Sequence, residues 1–146
     1  MKLGIFTDGL MHLPFEKALD TIAELGIQAV EIPTGNFSPS PHVDLAKLLH
    51  DDSALNAFEN AISSRGLIIS VLNCSGNLLH PRVEKREHDE KVTRNTIVLA
   101  GRLGVNRIVL MTGCPGTPTS ADYPNWVTGI PHGGLWAWSR LLGKFY

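Results

Sequence analysis

The hydrophobic pattern switches repeatedly between two periods. Three times a stripe of helical spacing ends at a glycine and is followed at once by a short, nearly continuous apolar run. The segments are Leu25-Gly26-Ile27-Gln28-Ala29-Val30-Glu31-Ile32, Arg65-Gly66-Leu67-Ile68-Ile69-Ser70-Val71-Leu72 and Leu103-Gly104-Val105-Asn106-Arg107-Ile108-Val109-Leu110. The glycines recur about 40 residues apart, which is room for one strand, one loop, one helix and one return. Each suits the left-handed position just past a helix, where a Cβ is strained. Ahead of the glycines, Phe15, Ala18, Leu19, Ile22, Ala23 and Leu25 follow Pro14 and predict a first helix. Ser53 as N-cap opens a second, with Leu55, Phe58, Ala61 and Ile62 on one face. The third carries Val92, Thr96, Leu99, Ala100 and Leu103, and the charged run from Glu84 to Lys91 reads as its solvated start.

Continuous apolar runs are expected of strands buried on both faces of a parallel sheet. With Lys2 to Thr7 as the first strand, the order is β-α-β-α-β-α-β. Right-handed crossovers then set the strands side by side in sequence order, in a barrel or an open α/β sheet. A barrel brings the C-terminal ends of its strands to one mouth, where its chemistry lies.

Composition narrows the classes. The chain has 146 residues, 13 Lys and Arg against 14 Asp and Glu, a net charge of −1 and 43% hydrophobic residues, which fits one soluble domain with a sizeable core. So even a balance offers no clustered cations for counterion release, and no nucleic-acid partner is expected. The longest apolar stretches are a handful of residues where a membrane span takes about 20, so no membrane partner is expected either. The start, Met1-Lys2-Leu3-Gly4-Ile5-Phe6, lacks the pattern of a signal peptide, and a cytoplasmic protein is expected. Cys74 and Cys114 have neither zinc-knuckle nor redox-pair spacing and read as reduced thiols.

The segments predicted at the mouth are polar or Gly-rich: Thr7-Asp8-Gly9, Glu31 to Gly35, Asn73 to His80 and Thr112 to Gly116. Such loops aim hydroxyls, amides and backbone N–H groups at a sugar or phosphate, though turns after buried strands have this composition anyway. Glu31 stands out. A carboxylate inside Ala29-Val30-Glu31-Ile32 must be paired, metal-bound or exposed at the mouth. His80, held in an extended direction by Pro81, is suited to a proton shuttle, a hydroxyl contact or a structural hydrogen bond. The other histidines show no metal-site spacing. Neither Gly-x-Gly-x-x-Gly nor a P-loop occurs, and no serine sits in a Gly-x-Ser-x-Gly elbow, which disfavours nucleotide binding and α/β-hydrolase chemistry.

The segments Lys2-Leu3-Gly4-Ile5-Phe6-Thr7, Ala29-Val30-Glu31-Ile32-Pro33-Thr34-Gly35, Asn73-Cys74-Ser75-Gly76-Asn77-Leu78-Leu79-His80-Pro81, Thr112-Gly113-Cys114-Pro115-Gly116 and Pro124-Asn125-Trp126 together resemble the sugar phosphate isomerase/epimerase family of xylose isomerase-like TIM barrels. The resemblance covers about residues 1–128. The sequence departs from the family in carrying Ser75 where the family has His and Leu78 where it has Pro. The resemblance implies four βα units of a (β/α)8 barrel, a half barrel with a parallel sheet. It further implies metal-assisted proton transfer next to the carbonyl of a sugar or sugar phosphate. In that reading Glu31 and His80 are catalytic, and Asn77, Thr112, Gly113 and Trp126 bind substrate.

The family's divalent metal (Mn, Mg, Co or Zn) is held by strands of the second half of the barrel, so no metal ligand is assigned here. A complete barrel takes about 250 residues. The expectation is therefore a partial barrel over residues 1–128, inactive alone, and a divergent or frameshifted tail over 129–146, which holds no acidic residue. A half barrel also leaves strand edges open, so self-association is expected. The alternative is a dimeric half-barrel binding or regulatory module without catalysis, with Trp136, Trp138 and Leu142 covering the exposed edge. A nuclease of the endonuclease IV type is disfavoured by the near-neutral charge and the single imidazole of the 73–80 loop.

Overall fold

Four short strands alternate with helices in the predicted order. They are β1 (Gly4–Phe6), β2 (Ala29–Pro33), β3 (Ile68–Asn73) and β4 (Ile108–Val109), all parallel and arranged β1-β2-β3-β4 in one open sheet. A 3-10 turn (Thr7–Leu10) and helix α1 (Phe15–Glu24) join the first two strands. Helices α2 (Leu45–His50) and α3 (Asp52–Ser63) join the next two, and α4 (Val83–Arg102) leads to the last. An antiparallel hairpin, β5 (Gly116–Thr117) and β6 (Ser120–Pro124), follows. This computed structural model describes residues 2–117 and 120–124, so Trp126 and the 129–146 tail lie outside the described residues.

The stripes read from the sequence become the core. Leu19 and Ile22 of α1, Leu55, Phe58 and Ile62 of α3, and Leu99 and Ala100 of α4 pack on Val30, Ile32 and Leu72 of the sheet. The three repeat glycines adopt φ of 73°, 71° and 64°, the left-handed stop their positions called for. Among the described residues no helix is long and apolar enough to cross a membrane.

Four local expectations change. The second helix is capped by Asp51 rather than Ser53, its Oδ1 accepting the Ala54 N–H at 3.0 Å, and a short helix, α2, absent from the sequence reading precedes it. The first strand is shorter than Lys2 to Thr7, because Thr7 already begins the 3-10 turn. Leu25 is exposed, since it lies past the last turn of α1, where the chain reverses at Gly26. Burial on both faces holds only for β2; on β3, Ile68 is 43% exposed and on β4, Val109 is 41% exposed. Among the described residues the helices cover one face of the sheet, while the other leaves Ile68 and Val109 exposed.

That open face is ordered by a bulge. Ala29 and Val30 pair with Ile68 and Ile69, but Glu31 pairs with Val71, so Ser70 is the extra residue, its hydroxyl bonded to the Val30 carbonyl at 3.0 Å. Side chains on a strand alternate between faces. The inserted residue therefore shifts the phase, turning Leu72 into the core and Asn73 onto the face that carries Glu31.

Candidate functional site

The C-terminal ends of the strands form a connected polar rim. Glu31, half-buried in the middle of β2, accepts a hydrogen bond at Oε1 from Asn73 Nδ2 at 2.6 Å. Asn73 Oδ1 in turn accepts the Ser75 backbone N–H at 2.9 Å. An amide oxygen cannot donate, so the Ser75 bond fixes which end of the Asn73 amide faces Glu31. Among the described residues Glu31 Oε2 receives no hydrogen bond.

The loop after β3 is held from several sides. Asn77 is fully buried; its Oδ1 accepts the N–H groups of Leu79 (3.1 Å) and Cys114 (2.8 Å), and its Nδ2 donates to the Cys114 carbonyl at 2.9 Å. This side chain pairs with the Cys114 peptide as a strand would. It clamps the 112–116 loop to the 73–80 loop. Gly113 is required at the clamp: its φ is 89°, and a Cβ there would overlap Asn77 Oδ1. Thr112, beside it, is exposed.

Helix α4 closes the loop from the other end. The Asn77 N–H donates to Asp89 Oδ2 at 2.6 Å, and Arg86 Nη1 donates to the His80 carbonyl at 2.9 Å. Asp89 is therefore buried and bonded, contrary to the reading of Glu84 to Lys91 as a wholly solvated face. One turn of a helix start necessarily faces the loop that precedes it, and Asp89 lies on that side. Asn36, at φ 66°, adds a bond from Nδ2 to the Cys74 carbonyl at 2.8 Å.

His80 is mostly buried, and its Nδ1 accepts the Arg82 backbone N–H at 3.0 Å. A ring nitrogen that accepts carries no proton, so the neutral ring holds its N–H at Nε2. Burial, and then the Lys85 charge, pull the imidazole below its ordinary value, with Asp89 opposing them. Buried Cys74 lies beneath the same rim, and burial pushes its thiol up, keeping it protonated.

The structure thus links Glu31 to the 73–80 loop through Asn73, and links that loop to Gly113 and Cys114 through Asn77. Trp126 lies outside the described residues. The sequence reading missed Asn73, Asp89 and Asn36, whose only signals were a polar residue ending an apolar run, one acid within a charged run and an Asn-Phe step after Gly35. Among the described residues no three His, Cys, Asp or Glu side chains converge, and Glu31 brings a single unbonded oxygen. These residues do not by themselves fit a resident metal ion, and no step derived from them passes through one.

Comparison with known proteins agrees with the architecture. Residues 19–141 match the family model described as xylose isomerase-like TIM barrel. A Bacillus subtilis (strain 168) relative, "Uncharacterized protein YfiH", is 41% identical over 128 residues, which cover 88% of this chain and 41% of the relative. The crystal structure of the probable 3-DHS dehydratase AsbF involved in petrobactin synthesis from Bacillus anthracis superposes with a TM-score of 0.55 at 16% identity. That superposition covers 77% of this chain and 39% of the other, and at such identity it speaks for the fold alone. The chain spans about two fifths of the length of these proteins.

Proposed function

The chain belongs to the xylose isomerase-like TIM barrel family, and from that membership we propose that it carries the first half of a site that moves a proton next to the carbonyl of a sugar or sugar phosphate. One observation carries the reading: a carboxylate, Glu31, on the open face of the sheet with one oxygen bonded and the other without a hydrogen bond among the described residues. In this proposal Glu31 Oε2 takes the proton from the carbon beside the carbonyl. The C–H pair becomes the C=C bond of an enediolate and the carbonyl π pair moves to its oxygen. The carboxylic acid then returns the proton to the neighbouring carbon while the hydroxyl proton of the first carbon passes to the former carbonyl oxygen, so that the first carbon becomes the new carbonyl. His80, neutral with its N–H at Nε2, is the donor proposed for the developing oxyanion. Thr112 and the Gly113 backbone are proposed to bind substrate hydroxyl or phosphate oxygens, with Trp126 as an apolar wall. Asn77 shapes these contacts through the loop it clamps, since both atoms of its amide are already bonded.

The chain spans about two fifths of the length of the proteins it matches, and alone it is proposed to turn over little substrate. The finer reading, an isomerase or epimerase, is tested by deuterium exchange. The probes are D-xylose, D-fructose, D-fructose 6-phosphate and dihydroxyacetone phosphate in D2O. They are offered to the chain and to a chimera in which it replaces the matched stretch of the Bacillus subtilis relative. We expect exchange beside the carbonyl of at least one probe in the chimera, lowered about 10²- to 10⁴-fold by Glu31→Gln. No exchange in either protein overturns the reading.

A second reading, a half-barrel that associates and binds without catalysis, is favoured by a different observation. Val109, Leu110 and Met111, at and just past β4, are exposed by 41%, 38% and 41%. Its test is the association state.

A further inference from the structure

We propose that Asn73 is the positioning residue for Glu31, and that the Ser70 bulge exists in this fold to put it there. The inference rests on the proton-transfer reading but names a group that reading does not use. Without the extra residue, continuing the Ala29–Ile68 and Val30–Ile69 register would set Glu31 against Ser70 and Pro33 against Leu72. Leu72 would then face outward beside the carboxylate, and Asn73 would point into the helix-covered core. With the bulge, Leu72 is fully buried in the core and Asn73 pairs with Pro33 on the Glu31 face.

The amide has no freedom to serve Glu31 in another way. Its oxygen is engaged by the Ser75 N–H at 2.9 Å, so only Nδ2 is available to the carboxylate, which it reaches at 2.6 Å. A donor so placed distinguishes two otherwise equivalent oxygens. Oε1 stays an acceptor throughout, carboxylate or acid, while Oε2 is the atom that gains and returns the proton. The same bond restricts rotation of the carboxylate, which favours one direction for the lone pairs of Oε2 during the transfer. Hydrogen bonds to charged groups are among the stronger ones, and their loss is felt in full when the partner stays behind.

The test uses two substitutions and two readouts. Asn73→Ser keeps an oxygen that can accept the Ser75 N–H, preserving the turn, but has no donor that reaches Glu31. Asn73→Asp keeps the shape and the turn while setting a carboxylate against a carboxylate. In the NMR spectrum of the 146-residue chain, the two Asn73 Nδ2 protons are expected to be widely separated, one drawn downfield by Glu31, and to converge in Glu31→Ala. In the form that exchanges deuterium, Asn73→Ser is expected to lower kcat about 10- to 100-fold with KM within about twofold. Asn73→Asp is expected to lower it further at neutral pH. Unseparated Nδ2 protons in the wild-type chain, or an unchanged kcat in Asn73→Ser, overturn the proposal. If no form exchanges deuterium, the proton-transfer reading falls, and the NMR result alone decides whether Asn73 holds Glu31.

Discussion

At the scale of single residues, the site is built from polar atoms whose roles are set by the partner on their other side. His80 shows the consequence for stability. Its Nδ1 lone pair accepts the Arg82 N–H, so protonation there replaces a hydrogen bond with a clash of two donors. Burial first, and then the Lys85 charge, lower its pKa in the folded chain. The unfolded chain, with an ordinary imidazole near about 6.5, therefore binds a proton that the native chain refuses. This contribution is complete above the unfolded value and is lost as pH falls through it toward the folded one. Urea midpoints measured from pH 7.5 down to 5.5 should fall more steeply for the wild-type chain than for His80→Asn, whose side-chain oxygen can accept the Arg82 N–H and does not titrate. Equal slopes would show that the imidazole does not carry this dependence. Glu31 was visible in the sequence because a carboxylate interrupts an apolar run. Asn73 and Asp89 were not, because an Asn ending a strand looks like any turn residue and an acid inside a charged run looks like a solvated one.

At the scale of elements, the sequence spoke through period and stops. Helical stripes ending at Gly26, Gly66 and Gly104 marked the order of helices and strands, since the left-handed position after a helix is chemically distinctive. Two features had no such mark. The bulge at Ser70 lies in Ile68-Ile69-Ser70-Val71-Leu72, where apolar residues occupy both phases and no alternation tells which side faces the core. Helix α2 was hidden because it is six residues long, too short to show a helical period, with Leu48 as its buried residue. It is real in energetic terms. Asp51 caps α3 through the Ala54 N–H, and Asp52 then pairs with Arg102, whose Nη1 also donates to the Leu48 and Leu49 carbonyls at 2.8 and 2.6 Å. One guanidinium thus satisfies the end of α2 and ties it to α4. Asp51→Ala is expected to cost about 0.5–2 kcal/mol in urea unfolding, while Ser53→Ala, at the position first read as the cap, should change stability by less than about 0.5 kcal/mol. The reverse order of effects would return the cap to Ser53.

At the scale of the whole molecule, the described helices lie on one face of the sheet, and the exposed residues of the second face bear on how the chain behaves in solution. In a closed barrel the second face is interior, filled by side chains from opposite strands. Here Ile68 and Val109 stand exposed on it, and β1 and β4 each pair with one neighbour among the described residues. The outer side of α4 adds Ile97 and Val98, 53% and 56% exposed. An unpaired parallel edge beside apolar side chains is a template for another copy. We therefore expect the 146-residue chain to associate, its weight-average mass in sedimentation equilibrium rising with concentration across about 5–200 μM. Val109→Lys with Met111→Lys places charge on the exposed residues at and just past β4, and should shift that rise to higher concentration. Val109 is the register partner of Asn73 on that face, so this variant is read for association only and not for proton exchange. Association that weakens in the double variant would favour the bare face and its edge as the contact. A single monomeric mass for the wild-type chain over the whole range would sink the associating half-barrel, and with it the second functional reading, while leaving the proton-transfer reading to its own test.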